Sequence, residues 1–424
     1  MLVATPRGRG QDDVRRHNLA ALLGLVHRWG AATRADVTRS LQLNRSTVGD
    51  LVGVLVDAGL LVEERPADLT PGRVGRPSLH VRPRPVATGG TSVLAVQVDV
   101  HDLQVVRVGL GGTVLARWSS PTSPTAGPEG VAELVSDAAR RLCGQDAQHV
   151  AGIALAVPGT VHAATGVVAS APHLGWREVP LRDLVAGVLA TRGGLALPVQ
   201  VANDADLGLL AEQRRGAAVD HTDVVYLTGT HGLGGGVLTG GHPLTGHRGF
   251  GGEVGHIGVD PAGRACHCGS RGCWEAQAMA GAWAELFDLD PGARDVVQQV
   301  LARLRAGGVV SRRTRDKLSR SFAGGLASLV NVFDPQVVLL GDGLWRELWP
   351  EVAGDVLPWL ERFTTPVLRS RVEVHPAGLG PDSTLLGAAE LAFAPLLADP
   401  LGTLAERWGL RADLVVPGER GARS

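Results

Sequence analysis

Cysteine is nearly missing from this chain, with 4 in 424 residues, and three of the four crowd into "CHCGSRGCWE", residues 266–275. That scarcity excludes a disulfide-stapled module, because a chain this long buries enough apolar surface to fold without cross-links, in two or three domains. Long hydrophobic runs are missing too. No stretch approaches membrane-spanning length without Gly, Pro or charge, and the opening "MLVATPRGRGQDDVRRHN" has no apolar run of the secretory kind. The expected location is the cytoplasm, with no membrane partner. Lysine occurs once, as Lys317, so positive charge is almost all arginine. A net charge of −1 excludes a uniformly basic nucleic-acid binder, yet the charge is unevenly placed. Residues 1–85 hold 13 Arg against 8 Asp and Glu, and the remainder holds 28 basic against 34 acidic residues. A basic head on an acidic body is expected when only the N-terminal part meets phosphates.

In the head, apolar residues recur at helical spacing from Val14 to about Val62. Thr33 and Asp36 form a capping-box pattern that opens a short helix through Leu41. Asn44 can cap a second helix, whose Val48, Leu51, Val52 and Leu55 share a face, before Gly59 stops it and a strand begins. Two short helices followed by a β-ribbon predict a winged helix-turn-helix over residues 1–85. Arg45, Ser46 and Thr47 open the second helix and suit base edges in the major groove of a double-stranded operator. "RPADLTPGRVGRPSLHVRPRP", residues 65–85, reads as wing and linker without a core of its own, and its Arg73 and Arg76 suit a narrow minor groove. A protein-docking winged helix is the competing reading.

Beyond the linker the pattern is α/β. "TSVLAVQVDV", "LQVVRVGL" and "GTVLARWSS" read as a strand meander, and helices and buried strands alternate after it. The scheme restarts with the glycine hairpin "TDVVYLTGTHGLGGGVLTGG". Two α/β lobes, 86–205 and 206–400, with a cleft between them are expected, and residues 401–424 read as an uninformative tail.

Cys266, Cys268 and Cys273 form C-x-C-x4-C, and His256 precedes them in "GEVGH". Three thiolates and one imidazole match tetrahedral zinc with no open position, so a structural Zn2+ is favoured over a hydrolytic one. Buried thiols beside an unrelated histidine are the plain alternative. Cys143, alone on a helix, reads as core.

"GGEVGHIGVD" with "CHCGSRGCWE" resembles the signature of the ROK family of repressors, open reading frames and sugar kinases. "VQVANDADLGLLAEQRRG", "APHLGWREVPL" and "VNVFDPQVVLLGDG" are similar to its sugar-contacting, sugar-side and adenosine-side segments. The resemblance implies an actin-like (ribonuclease H-like) two-lobed body. With the head and "GRVGRP" it points to the repressor branch, similar to xylose and N-acetylglucosamine repressors, acting as a homodimer or homotetramer with a sugar or sugar-phosphate effector. It implies Asn203, Asp204, Glu253, His256 and Glu275 as the sugar pocket, with His173 where the family often has Asn. Carboxylates and amides suit a ring of hydroxyls. His256 would bind zinc through one ring nitrogen and sugar through the other. Taken alone, "AND" merely ends a strand and Glu275 merely starts a helix. Asp204 matches the family's catalytic base, but Asp99-Val100-His101-Asp102-Leu103 stands where its kinases turn through Asp-x-Gly-Gly-Thr. That change leaves Asp204 a vestigial base and predicts a non-enzyme; a sugar kinase with an appended head is the rival expectation.

Overall fold

The computed structural model describes residues 10–64, 79–121, 127–368 and 372–409. The head begins with α1 (Gln11–Trp29), a two-residue strand β1 (Ala32–Thr33), α2 (Arg34–Leu41) and α3 (Arg45–Asp57). Asp36 N–H donates to Thr33 Oγ1 and Thr33 N–H donates to Asp36 Oδ2, each at 3.1 Å, so two amides without helical partners are satisfied reciprocally. Thr47 N–H donates to Asn44 Oδ1 at 2.8 Å and fixes the start of α3. Val48, Leu51, Val52 and Leu55 are buried on one face of α3, in one core cluster with Leu19, Leu22, Leu23 and Val26 of α1. β2 (Leu61–Glu64) and β3 (His80–Pro83) complete a sheet of order β1-β3-β2, giving a winged helix-turn-helix. The stretch 65–85 was expected to lack a core, but its residues 80–83 form the central strand of this sheet. Val81 is fully buried there, because a strand paired on both sides must turn one side chain inward. Arg73 and Arg76 lie outside the described residues.

The body follows in two sheets. β4 (Ser92–Val98), β5 (Asp102–Gly109) and β6 (Val114–Pro121) form the meander; α4 (Gly127–Cys143) leads to β7 (Val150–Val157). A side sheet of β8 (Thr160–His162), β9 (Val167–Ala171) and β10 (Trp176–Val179) precedes α5 (Leu181–Gly193), β11 (Val199–Asn203) and α6 (Asp204–Arg215). The first sheet has order β11-β7-β4-β5-β6. Along β4, Leu94, Val96 and Val98 face one core and Val93 and Ala95 the other, the alternation of a strand buried on both faces.

The second sheet comes from β12 (Val224–Gly229), β13 (Gly234–Thr239), β14 (His242–Pro243), then α7 (Trp274–Ala278), α8 (Ala280–Phe287), α9 (Val296–Ala306), α10 (Val309–Phe333), β15 (Val337–Gly343), α11 (Leu344–Phe363) and β16 (Glu373–Pro376). Its order is β14-β13-β12-β15-β16. One face packs against a core that includes Trp274, Trp283 and Phe322; the other meets Ala205 and Leu209 of α6.

The last elements among the described residues are α12 (Ser383–Ala398) and α13 (Pro400–Trp408). Reading 206–400 as one lobe placed α12 with the second sheet. Instead Ala388, Ala392 and Phe393 of α12 share a core with Val93 and Ala95 of β4, so the helix returns to the first sheet. The supposed tail likewise starts as α13, whose Leu404 is buried in that core and whose first turn is capped by Asp399, accepting from Gly402 N–H at 3.1 Å. α6 and α12 therefore lie side by side between the two sheets. Gly387 permits this, since a Cβ there would overlap the carbonyl oxygen of Leu207. Among the described residues no single helix is long and apolar enough to cross a membrane, and only the sharply bent pair Gly380–Ala398 and Pro400–Trp408 passes that test together.

Candidate sugar pocket and metal cluster

A cavity of about 350 Å³ opens between the lobes, and Asn203, Asp204, Glu253, His256, Glu275 and His173 all line it. Asn203 ends β11 and caps α6. Its Oδ1 accepts from Ala205 and Asp206 N–H at 2.8 and 3.0 Å, and its Nδ2 donates to Gly159 O at 3.0 Å. The residue thus ends a strand, as its local sequence says, and also sets the cavity wall. Asp204, the first residue of α6, is pushed up to about 7 by burial and then by Asp99, against the pull of Ala205 N–H.

Glu253 spans the cleft. Thr160 Oγ1 from the other lobe donates to its Oε1 at 3.3 Å, and its Oε2 lies 3.8 Å from His256 Nε2. Glu275 is 7% exposed, and its Oε2 accepts Leu233 N–H at 3.2 Å. His173 leans over Gly232 at the β12–β13 turn, where a Cβ would come 2.8 Å from its Nε2 and have to push the imidazole aside. Burial holds the His173 imidazole below its ordinary pKa, with Glu275 opposing.

Behind this wall lies the cysteine loop. The donor atoms of His256, Cys266, Cys268 and Cys273 all lie within 4.8 Å of one another. Cys266 Sγ is 3.8 Å from His256 Nδ1, and Cys268 Sγ is 3.8 Å from Cys273 Sγ. Ligands at about 2.0 to 2.3 Å from a tetrahedral ion stand about 3.5 Å apart, so the set fits a metal ion with modest contraction. Gly272, at φ 73, closes the loop because a Cβ there would overlap the carbonyl oxygen of Asp260. Cys273 precedes α7 directly, which puts Glu275 in that helix's first turn. His256 faces the cysteines through Nδ1 and the cavity side through Nε2. Burial, then Glu275, holds the Cys266 thiol well above its ordinary range, a preference that a bound cation reverses.

The opposite end of the cavity is the β4–β5 turn. Asp99 N–H donates to Asp102 O at 2.9 Å, and Val100 N–H donates to the Asp99 carboxylate. His101 and His231 meet edge to face at 5.6 Å. Asp342, Arg294 and Thr384 also line the cavity and were not singled out from the sequence. Asp342 had a signal, a carboxylate closing the buried strand in "VVLLGDG". Thr384 had none, since only packing brings the start of α12 to Asp204, 180 residues earlier, where Thr384 Oγ1 lies 3.5 Å from Asp204 O.

In the head, Arg45 and Ser46 are exposed and Thr47 half-buried at the start of α3. Ser46 Oγ donates to Asn44 Oδ1 at 2.8 Å, so its hydroxyl joins the cap. Arg34 grips Glu63 with two bonds of 2.6 Å and ties α2 to β2.

The sequence model of the ROK family matches residues 93–394. The xylose repressor of Bacillus spizizenii is 26% identical over 391 residues, covering 91% of this chain and 97% of that protein. The glucokinase of Streptomyces coelicolor is 30% identical over 337 residues, covering 74% of this chain and 98% of the kinase. A solved ROK family transcriptional regulator, homolog of the E. coli MLC protein, superposes with a TM-score of 0.72 at 23% identity, covering 93% of this chain and 99% of its own.

Proposed function

The chain belongs to the ROK family, and on that premise we propose that it is a sugar-responsive transcription regulator, a repressor, whose body binds a sugar and whose head binds a palindromic operator. The observation that carries this reading is the presence in one chain of the polar interlobe cavity with its metal cluster and a winged helix-turn-helix with Arg45 exposed at the start of α3. The coverage points the same way. A 93% match to the regulator leaves fewer residues unmatched than the head contains, whereas the kinase match covers 74%.

In this reading Asn203, Asp204, Glu253, His256, Glu275 and His173 hold the sugar hydroxyls, and Zn2+ on His256, Cys266, Cys268 and Cys273 is structural. Zinc supplies a fixed tetrahedral anchor when bound. The chain's own residues do the reading: His256 presents Nε2 beside Glu253, and Glu275 braces the Leu233 amide. Arg45, Ser46 and Thr47 enter the major groove, and Arg73 and Arg76, outside the described residues, follow the minor groove. The regulator is cytoplasmic and a dimer or tetramer, which matches a two-fold operator.

No turnover is part of this function. The β4–β5 turn offers phosphate a surface of Asp99 and Asp102, and the Val100 amide is already used by Asp99. The rival reading, a sugar kinase, is favoured by one observation: Asp204 sits at about 7, where a general base works near neutral pH. Two measurements on the purified chain separate them. Calorimetry with a panel of neutral sugars and sugar phosphates, followed by gel shift with and without the binder, should give a sugar-dependent change in operator affinity. Sugar-dependent ADP production from ATP that vanishes in Asp204→Ala would establish the kinase instead.

A further inference from the structure

Two helices run from the pocket to the head. α6 starts at the cavity, where Asn203 caps it and Asp204 lines the wall, and ends at Arg215. α12 starts beside Thr384, which lines the same cavity, and carries Glu390 further along. The far end of α6 meets the middle of α12, with Arg215 Nε donating to Glu390 Oε1 at 2.6 Å. His27, in the last turn of α1, joins them, its Nε2 lying 3.1 Å from Glu390 Oε1. Gly111 N–H donates to His27 Nδ1 at 2.9 Å, which makes Nδ1 the acceptor and leaves the ring proton on Nε2, facing Glu390. Arg215 Nη2 also crowds that nitrogen at 2.7 Å, and it is Arg215 Nε and His27 Nε2 that converge on the Glu390 carboxylate. The guanidinium also donates to the carbonyl oxygens of His27 at 3.1 Å and Gly111 at 3.0 Å, so it caps the end of α1 and ties it to the β5–β6 turn.

The junction is largely buried, with His27 3% and Glu390 6% exposed. Burial would raise the Glu390 carboxyl, but His27 and Arg215 hold it down at about 2. A buried charge cluster is weak as a source of stability; its strength is that it tolerates few geometries. A cavity of about 530 Å³, lined by His27, Arg215 and Glu390 themselves, extends between Ala20, Gly24 and Leu25 of α1 and Leu210 and Leu397 of the two helices, which leaves α1 room to shift.

The two helices cannot slide past each other. Their backbones touch at Gly387 and Leu207, and the buried Glu212 carboxylate of α6 accepts from Ser383 Oγ at 2.8 Å and from Gly378 and Leu379 N–H at 3.0 and 2.9 Å, fixing the start of α12. A displacement at Asp204 therefore arrives at Arg215, about 17 Å along a helix of this length, as movement of the pair.

We propose that α6 and α12 are the coupling element between the sugar pocket and the DNA-binding head, and that Arg215, Glu390 and His27 are the positioning residues that pass the displacement to α1. This rests on the reading of the chain as a sugar-responsive DNA-binding protein. The test follows hydrogen exchange of the α1 amides in the full-length protein.

A ligand-free arm compares Asn203→Ala, Arg215→Gln and the double variant. Changes this far apart with no shared partner ordinarily add. Coupling predicts that Asn203→Ala speeds α1 exchange about 5-fold or more, and that the double variant exchanges no faster than Arg215→Gln. Additive effects, or an α1 indifferent to Asn203→Ala, overturn the proposal. A ligand arm adds D-xylose or D-glucose, with binding followed by calorimetry. The bound sugar should change α1 exchange in the wild type but not in Arg215→Gln or Glu390→Gln, while both variants keep wild-type sugar affinity. A response of wild-type size in both overturns the proposal. If neither sugar binds, or the wild type fails to bind DNA, the sugar-responsive reading suffers and the ligand-free arm still decides the coupling. Glu390→Gln replaces Arg215→Gln in both arms if the latter does not fold.

Discussion

Cys266 Sγ lies 2.9 Å from Glu275 Oε1, while the other oxygen of that carboxylate accepts the Leu233 amide at the cavity wall. The cysteine loop and the pocket thus share one side chain. Three thiols that look like a separate structural site are the back of the surface that would read a sugar.

Loss of metal should therefore disturb sugar binding. Purified protein is expected to hold zinc at one ion per chain by elemental analysis. Cys268→Ser removes a ligand that lines no part of the cavity, yet it should lower metal affinity by a factor of about 10 to 100 or more and weaken sugar binding with it. A zinc-free variant that keeps full sugar affinity would separate the two sites.

The head can be tested without any sugar. Arg45→Ala should weaken specific operator binding by about 1 to 3 kcal/mol and leave non-specific binding nearly unchanged. Gel shifts at one fixed salt concentration measure this. Equal loss on all sequences would mean that Arg45 contacts phosphate, and no loss would favour a protein-docking head.

Sugar affinity should depend on pH through Asp204. Its carboxyl stands at about 7 in the free pocket, so below that pH it is protonated and accepts hydroxyl hydrogen bonds less well. Affinity is expected to rise from pH 6 to 8 by up to about tenfold, since binding to the charged form pulls the pKa down by about one unit. Asp204→Asn should flatten the profile. Calorimetry across that range checks both.

Gly387→Ala should destabilise the body by about 1 to 3 kcal/mol or more, because the new methyl must push α6 and α12 apart at Leu207. Thermal unfolding gives the loss. Gly281 in α8, with nothing within 4 Å of an added Cβ, is the control, and Gly281→Ala should leave stability nearly unchanged or slightly raised.

Much of this was legible because it is local. Thr33 with Asp36 and Asn44 with Thr47 satisfy helix ends within a few residues, so the caps could be read directly. The Cys3His cluster was legible because C-x-C-x4-C brings three thiols into one turn, and only His256 had to be recruited from outside it. The pocket was less so. Asn203 and Glu275 each look like ordinary ends of local elements, and it took the family resemblance to place them together.

The chain's sequence by itself determined most of the elements, though not the strand at 80–83 or the helix α13, together with the caps, the cysteine loop and the separation of a basic head from an acidic body. Those follow from periodicity, short-range hydrogen bonding and composition. Only the tertiary structure decided where α12 goes, and with it the rest. The helix is apolar on more than one face, and its placement is fixed by Gly387 admitting Leu207 and by Glu212 gripping Ser383. That placement brings Thr384 to the cavity and Glu390 to His27, 363 residues away in the chain. No local pattern encodes such a meeting, because it depends on the packing of two helices against two sheets at once.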